Sequence, residues 1–388
     1  MEIRERKAFL KLKKTQTPYA RQKSALEKEL IQFLSHLDRD ITSATPDDVV
    51  SFLVWKDRFG KTVVHHDSCP YFGDKTKSAC LCPRRLAFGT VDSVIGKLRA
   101  IFSQWGRSMD DSILPGYGNP AASSEVKSYL HSVRLEQLQA RIVPSQAEPF
   151  FIHDLFLIST QILKNLSLSL GSPVQLFVLS RDQAFFKSLF FGGDRAADLC
   201  RVKTKEILYL PDKSGLLFNH TLTKSLRDGS SNMFAIKHYK DPLLCPVKAI
   251  ETYVAMSDLL NVSVKDGFLF RPVDQSGDVL SGPFQASAAQ ARLNVYVKQL
   301  SHLFKDRRIT LHGLRSGCSI SLALSGANLQ TIMDHVGWKL PSTAHHYLKF
   351  NNVMAPGGTS ELLANLDIDV GECYRKRNDL FGFCTAFE

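Results

Sequence analysis

No run of about 18 uncharged apolar residues, the length that spans a bilayer as a helix, occurs in this sequence. Its first residues, MEIRERKAFLKLKK, lack the apolar core of a secretory leader. These two absences point to a soluble, intracellular chain without membrane partners. No internal repeat and no low-complexity tract is visible, so a solenoid or a compositionally biased linker does not organise the chain. A disulfide framework is not expected in such a compartment. Cys200, Cys245, Cys318, Cys373 and Cys384 read as small buried side chains or inert thiols. Acidic residues are in short supply: 38 Asp and Glu face 49 Lys and Arg, a formal charge of +11 at pH 7. With a pI near 9.2, that balance argues for a polyanionic partner, because clustered cations release counterions from a phosphate backbone.

A chain of 388 residues exceeds one ordinary core and implies two domains. Residues 18–107 carry helical periodicity apart from one insert. Thr45-Pro46-Asp47-Asp48 is a helix start with Thr45 as N-cap and Pro46 in the first turn. From Thr90, the positions Val91, Val94, Ile95, Leu98, Ile101, Phe102 and Trp105 follow the 3.6-residue period. Lys97 and Arg99 fall off that stripe, where they can meet phosphate. Gly, Pro, Ser and Ala dominate from Ser108, and VPSQAEP follows at 143–149, so the expected junction is 121–149, a stretch with one helix that bridges the domains or belongs to the first. Phe150 to Phe191 is strongly apolar and helical. After Arg195 the pattern turns to alternation in EILYLP, LLFNHTLTK and NMFAIKHY, with a turn signal at Asp228-Gly229. The expected fold is mainly α with a small antiparallel sheet, an α+β architecture. Its divisions are 1–120, 121–149, a second domain over 150–360, and a tail over 361–388.

The insert at 61–83 is polar, rich in turn residues and too short for a core of its own. His65-x3-Cys69 with Cys80-x-Cys82 offers one imidazole and three thiolates, a donor set suited to tetrahedral structural zinc. His66 competes with His65 as the nitrogen ligand, and three unliganded thiols are the plainer alternative.

Four pieces of the second half carry chemistry: FFGGDRAADL with Arg195, the hairpin bearing Lys224, HGLRSG with His312 and Arg315, and VGW with Trp338 nine residues before Tyr347. Breaking a phosphodiester without a metal ion takes a nucleophile, cations for the non-bridging oxygens and an acid for the leaving oxygen. Two arginines serve as those cations, since each guanidinium is permanently charged and forks onto phosphate. A tyrosine hydroxyl makes a covalent phosphotyrosine, and a hairpin lysine protonates the departing 5′ oxygen. Spacing of three places His312 and Arg315 on one helical face. Leu329, Ile332, Met333 and Val336 form a stripe between the N-cap Asn328 and the stop at Gly337, so that helix delivers Trp338 at its exit.

The set G-x-R-x-x-[DE]-L, H-x-x-R, and G-[HW] followed nine residues on by tyrosine resembles the tyrosine recombinase (lambda integrase) family over about 190–350. The resemblance implies that Arg195 and Arg315 are the arginine pair and Tyr347 the nucleophile. It makes His312 a general acid/base or orienting residue, Trp338 a phosphate donor and Lys224 the hairpin acid, with Arg227 and Lys213 as neighbouring alternatives. Asp198, where relatives often carry glutamate, is expected to buttress. Residues from Tyr19 to Pro120, including VVSFLVWKDRFGKTVVH, CPYFG and CLCPRRLAFGTVDSVIGKLRAIF, are similar to the ALOG domain. That domain serves plant DNA-binding regulators and recombinases of DIRS-like retroelements. The likeness favours His65 over His66 and implies structural zinc, Zn(2+), with no catalytic metal.

Together the resemblances imply a nuclear enzyme that cuts and rejoins double-stranded DNA for a mobile element. It would act as a homo-oligomer, a dimer on one site and a tetramer in synapsis, with the tail after Tyr347 exchanged between protomers. The rivals are a topoisomerase-like relaxing enzyme and a domesticated DNA-binding regulator that does not cut. The basic start reads as an import signal or as a solvated tail touching DNA. His345 and His346 have no Cys, Asp or Glu at metal-ligand spacing and read as DNA-facing or packing residues.

Overall fold

The computed structural model describes residues 5–6, 18–72, 80–107, 118–142, 147–169, 172–221, 232–305, 307–345 and 348. The chain divides into two compact units, Met1–Ser145 and Gln146–Glu388. It is mainly helical, with two small antiparallel sheets among the described residues. None of the described helices is long and apolar enough to cross a membrane.

In the first unit, helices α1 (Pro18–Ser35), α2 (Pro46–Asp57), α3 (Phe88–Gln104) and α4 (Ser124–Gln139) enclose one core. Thr45 caps α2 as its sequence requires. Its hydroxyl accepts from the Asp48 N–H at 3.3 Å, while the Asp48 carboxylate accepts from the Thr45 N–H at 2.7 Å. Helix α3 begins at Ala87, whose methyl cannot cap. Gln137 of α4 does this instead, accepting from the Phe88 N–H at 2.9 Å and donating to the Leu86 carbonyl at 2.8 Å. The 121–149 helix therefore packs within this unit.

Two expectations for α3 change. Arg99 does not stand free for phosphate, because its Nε donates to the Ala121 carbonyl at 3.0 Å. Trp105 leaves the apolar stripe: it lies at the helix end, is exposed, and donates its indole N–H to Glu27 at 2.8 Å. Both follow from tertiary partners that helical periodicity does not encode.

The second unit is built around α6 (Pro173–Gly192), which is packed against α5 (Ile152–Leu168), α8 (Pro246–Leu259) and α10 (Leu311–Leu324). Its polar residues are buried along with its phenylalanines, so they need partners inside. Asp182 has three: it accepts from Arg181, from Arg292 at 2.6 Å and from the Tyr296 hydroxyl at 2.6 Å. Strands β3 (Ile207–Tyr209), β4 (Gly215–His220) and β5 (Asn232–Lys237) form the antiparallel sheet read from the alternation, with Leu208 opposite Leu217 and His220 opposite Asn232. The Asp228-Gly229 turn signal lies outside the described residues. Helix α9 (Ala286–Gln299) backs α5, and α11 (Leu329–Val336) packs on α10 and β5.

Candidate active site and metal-binding module

Helix α6 ends where Gly193 takes a left-handed conformation, φ 56°. The turn is tight: a Cβ on Gly193 would sit 3.0 Å from both Cys318 Sγ and Val336 Cγ2. Reversal here aims the Gly193 carbonyl at α10, where Arg315 Nη1 donates to it at 2.8 Å. Two residues later Arg195 opens the short helix α7 (Ala196–Leu199), and its Nη1 lies 3.6 Å from Asp198 Oδ2. Asp198 thus stands where a buttress is expected.

Glycine spacing explains the HGLRSG stretch. Cβ atoms at Gly313 and Gly317 would lie 2.4 Å from the Glu148 carbonyl oxygen and 1.8 Å from that of Phe150, so bare backbone lets the 148–150 segment lie against α10. The Phe150 N–H donates to the Gly313 carbonyl at 2.9 Å. His312 and Arg315 leave the helix on another side. Arg315 is 1 % exposed, its guanidinium carbon 5.4 Å from the centre of the Trp338 ring. Trp338 is buried and reaches that place because α11 starts at the Asn328 cap and stops at Gly337, φ 73°, with the Trp338 N–H returning to the Met333 carbonyl at 2.9 Å.

His312 faces solvent, yet its imidazole is held below the usual histidine range, first by local desolvation and then by the charges of Arg315 and Arg195. Both guanidiniums disfavour the charged imidazole from nearby. The neutral form, which can take a proton, is favoured near neutral pH.

Arg195, His312, Arg315 and Trp338 are thereby brought together. Lys224 and Tyr347 lie outside the described residues, as do Arg227 and His346. Ala344 and Leu348, on either side of Tyr347 in sequence, pack into the same cluster as Trp338. Lys213 lies in the β3–β4 turn, at the end of β4 remote from His220. The six residues of β4 that separate it from His220 rise by roughly 17 Å.

Sequence reasoning passed over Asp194, His220 and Asn232. Asp194 Oδ1 accepts from the Arg195 N–H at 2.7 Å, and its Oδ2 lies 3.2 Å from His220 Nε2, off the line of a straight hydrogen bond. Asn232 closes on Gly337, where a Cβ would meet its amide nitrogen at 2.8 Å. The signal was available for one of them: alternation along β4 turns Leu216, Phe218 and His220 inward together.

Residues 178–353 match the phage integrase family. Residues 39–135 match the ALOG domain. The chain therefore joins an ALOG domain to a phage integrase (tyrosine recombinase) domain. Over 97 residues it is 42% identical to Protein LIGHT-DEPENDENT SHORT HYPOCOTYLS 5 of Arabidopsis thaliana, covering 25% of this chain and 50% of that one. Protein G1-like9 of Oryza sativa subsp. indica is also 42% identical over 97 residues, covering 25% of this chain and 32% of its own length. The chain thus spans a third to a half of the length of these curated relatives. Among solved structures it is similar to a lambda integrase dimer bound to a COC' core site, with 13% identity, TM-score 0.46, and coverage of 84% of this chain and 70% of that one. It is also similar to the Tn1549 transposon integrase in complex with circular intermediate DNA, with 14% identity, TM-score 0.44, and coverage of 80% and 82%.

In the ALOG domain, β1 (Thr62–Val63) pairs with β2 (Arg84–Arg85) and closes the base of the insert. His65, Cys69, Cys80 and Cys82 place one ligand atom each within 4.8 Å of one another. His65 is buried while His66 is exposed, so His65 is the histidine among the thiols. Its Nδ1 lies 3.4 Å from Cys69 Sγ and 3.5 Å from Cys80 Sγ. A tetrahedral zinc with bonds of about 2.3 Å to sulfur and about 2.05 Å to nitrogen requires an N–S edge of about 3.6 Å, so the donor set fits such an ion. These four residues would hold it with no open coordination position, which suits a structural role.

Proposed function

We propose that this protein is a site-specific DNA recombinase that cuts and rejoins duplex DNA through a 3′-phosphotyrosine at Tyr347. The observation that carries this reading is the convergence of Arg195, His312 and Arg315 beside the Trp338 ring, inside the stretch that matches the phage integrase family. In the proposed step the Tyr347 hydroxyl oxygen bonds to the scissile phosphorus as the bond to the 5′ oxygen breaks. The tyrosyl proton passes to neutral His312, and the 5′ oxygen takes a proton from Lys224. Arg195 and Arg315 meet the charge on the two non-bridging oxygens, with the indole N–H of Trp338 as a further donor. Reversal, with a 5′ hydroxyl as attacker, rejoins the strand. No metal ion is needed for this sequence.

The net charge supports duplex DNA as the partner. The ALOG domain, with zinc on His65, Cys69, Cys80 and Cys82, serves as a second DNA-holding element. Its relatives are plant proteins, which supports a eukaryotic origin; the enzyme of this proposal is nuclear, of mobile-element descent and a homo-oligomer.

The test is a nicked duplex drawn from the genomic flanks of the coding sequence, which traps the intermediate by losing the attacking strand. A denaturant-resistant protein–DNA adduct is expected from the wild type and not from Tyr347→Phe, which should still bind. An adduct in the Phe variant, or a strict magnesium requirement with the zinc module intact, would overturn the proposal. Strand exchange between two sites, rather than relaxation of supercoils alone, separates the recombinase from its topoisomerase-like rival.

A further inference from the structure

The buried pair Asp194 and His220 has no part in the mechanism above. We propose that it is a positioning pair that holds Arg195 in its place at the phosphate, an inference that rests on the recombinase reading. Asp194 sits between the left-handed Gly193 and Arg195, is buried, and fixes the start of α7 by accepting from the Arg195 N–H at 2.7 Å. Its second oxygen meets His220, which is equally buried, at 3.2 Å. His220 is in turn immobilised by its surroundings. Its ring stacks on Phe234 at 5.5 Å and Phe218 at 6.3 Å, and it stands opposite Asn232, the residue that closes on Gly337 next to Trp338. The contact thus ties the Arg195 turn to the sheet.

The register of β4 shows why this pairing is informative. Leu216 and Phe218 take the two preceding inward places and are apolar, and a third apolar residue would fill the next one without cost. A buried imidazole is costly unless something pairs with it, and Asp194 is the acid that its Nε2 meets. The reverse also holds. Burial pushes the Asp194 carboxyl up from its ordinary value and the neighbouring Asp198 adds to this, while His220, the Arg195 N–H and Arg315 oppose it. Without His220 the carboxylate loses the first of those opposing groups. It then gains a proton or turns, and in turning it shifts the acceptor that holds the Arg195 backbone.

His220→Phe keeps an aromatic ring between Phe218 and Phe234 but removes the ring nitrogen that faces Asp194, whereas His220→Gln keeps a polar group there. Adduct formation is measured in a single turnover at saturating DNA, on a nicked duplex and on the same duplex with a bridging 5′ sulfur at the scissile phosphate. His220→Phe should melt lower than wild type because Asp194 loses its partner, yet stay folded at the assay temperature and bind DNA equally. It should react roughly 10- to 100-fold more slowly on both substrates, the scale of a misplacement of about 1 Å, and His220→Gln should recover most of that rate. Persistence on the sulfur substrate marks a defect at the non-bridging oxygens, where Arg195 acts, because sulfur leaves without an acid. Wild-type reaction by His220→Phe would overturn the proposal, as would a defect that disappears on the sulfur substrate. Should His220→Phe fail to fold, Asp194→Asn, which keeps an acceptor for the Arg195 N–H, is compared with Asp194→Ala. Near-normal reaction by the first and slow reaction by the second are expected, and equal rates overturn the pair. If wild type forms no adduct on either substrate, the recombinase reading fails and the pair's role fails with it.

Discussion

Gly193→Ala is the sharpest probe of how the site is assembled, because the glycine is neither a charged group nor a candidate reactant. Two costs can be worked out from its surroundings. An alanine at φ 56° carries a left-handed penalty of about 1–2 kcal/mol. Its Cβ would also approach Cys318 Sγ and Val336 Cγ2 at 3.0 Å each, so both neighbours must give way by a few tenths of an ångström. Overpacking of that kind costs about 1–3 kcal/mol. A total of about 2–5 kcal/mol leaves a domain of ordinary stability folded at room temperature, with a Tm lower by roughly 10 °C. The relief must come from the turn or from α10 and α11, and either movement shifts the Gly193 carbonyl against Arg315, now 2.8 Å away, and Arg195 two residues on. Adduct formation should fall by about 100-fold while DNA binding changes little. Thermal melts and single-turnover trapping on the nicked duplex measure the two effects. A double-mutant cycle with Cys318→Ala separates the steric part, which should appear as a coupling of about 1 kcal/mol. A melting temperature within a degree of wild type would refute the strain argument. A destabilised variant with full cleavage would refute the claim that this turn places the arginines.

Metal analysis should find one zinc per chain, and Cys80→Ser and Cys82→Ser should each lose it and loosen residues 61–83 in hydrogen exchange; full occupancy in both variants would sink the site. Lys187 is buried in α6, and burial pulls its pKa down to about 8 against the opposing charges of Cys245 and Asp241. An unfolded lysine holds its proton up to about pH 10.4, so the unfolded chain binds more protons between pH 8 and that value and stability rises with pH across this window. Lys187→Met should therefore stabilise the second unit at pH 7, by up to about 3 kcal/mol, and flatten that rise; denaturant melts at pH 7 and pH 9.5 decide it. Lys224→Ala should fail on ordinary DNA yet cleave the bridging-sulfur duplex near the wild-type rate, whereas Arg195→Ala and Arg315→Ala should fail on both. If only Arg227→Ala is rescued, the acid has been assigned to the wrong residue of the connection.

Much of this was legible in the sequence because it is local. The Thr45 cap, the stripe from Leu329 to Val336 and its stop at Gly337 each depend on residues a few positions apart, and the structure has each of them. Alternation marked three strands, and the His/Cys spacing marked a cluster whose atoms do converge. What escaped depends on partners far along the chain. Gln137 caps a helix that starts 49 residues earlier, Arg99 is held by a carbonyl 22 residues on, and Trp105 bonds to a glutamate 78 residues back. Asp194 and His220 escaped for the same reason. In the sequence each is one polar residue beside others, Asp194 next to Arg195 and His220 between Asn219 and Thr221, and only the packing of β4 against the α6–α7 turn makes them a pair.

Arg315 sets the energetic logic of the site. A guanidinium with 1 % of its surface exposed cannot be stabilised by water and must be held by fixed groups. Those seen here are the Gly193 carbonyl, the face of Trp338 and the nearby charge of Asp194. Each belongs to an element that also handles another member of the site: Gly193 and Asp194 lead directly into Arg195, and Trp338 ends the helix that precedes Tyr347 in the chain. The cation is therefore oriented before any phosphate arrives, the condition under which a donor contributes most to a developing charge. A site built this way has little freedom to lose one arginine without moving the other. Substitutions at Gly193, which touches neither DNA nor the reacting atoms in the proposed mechanism, should then disturb the placement of both arginines, and not of one.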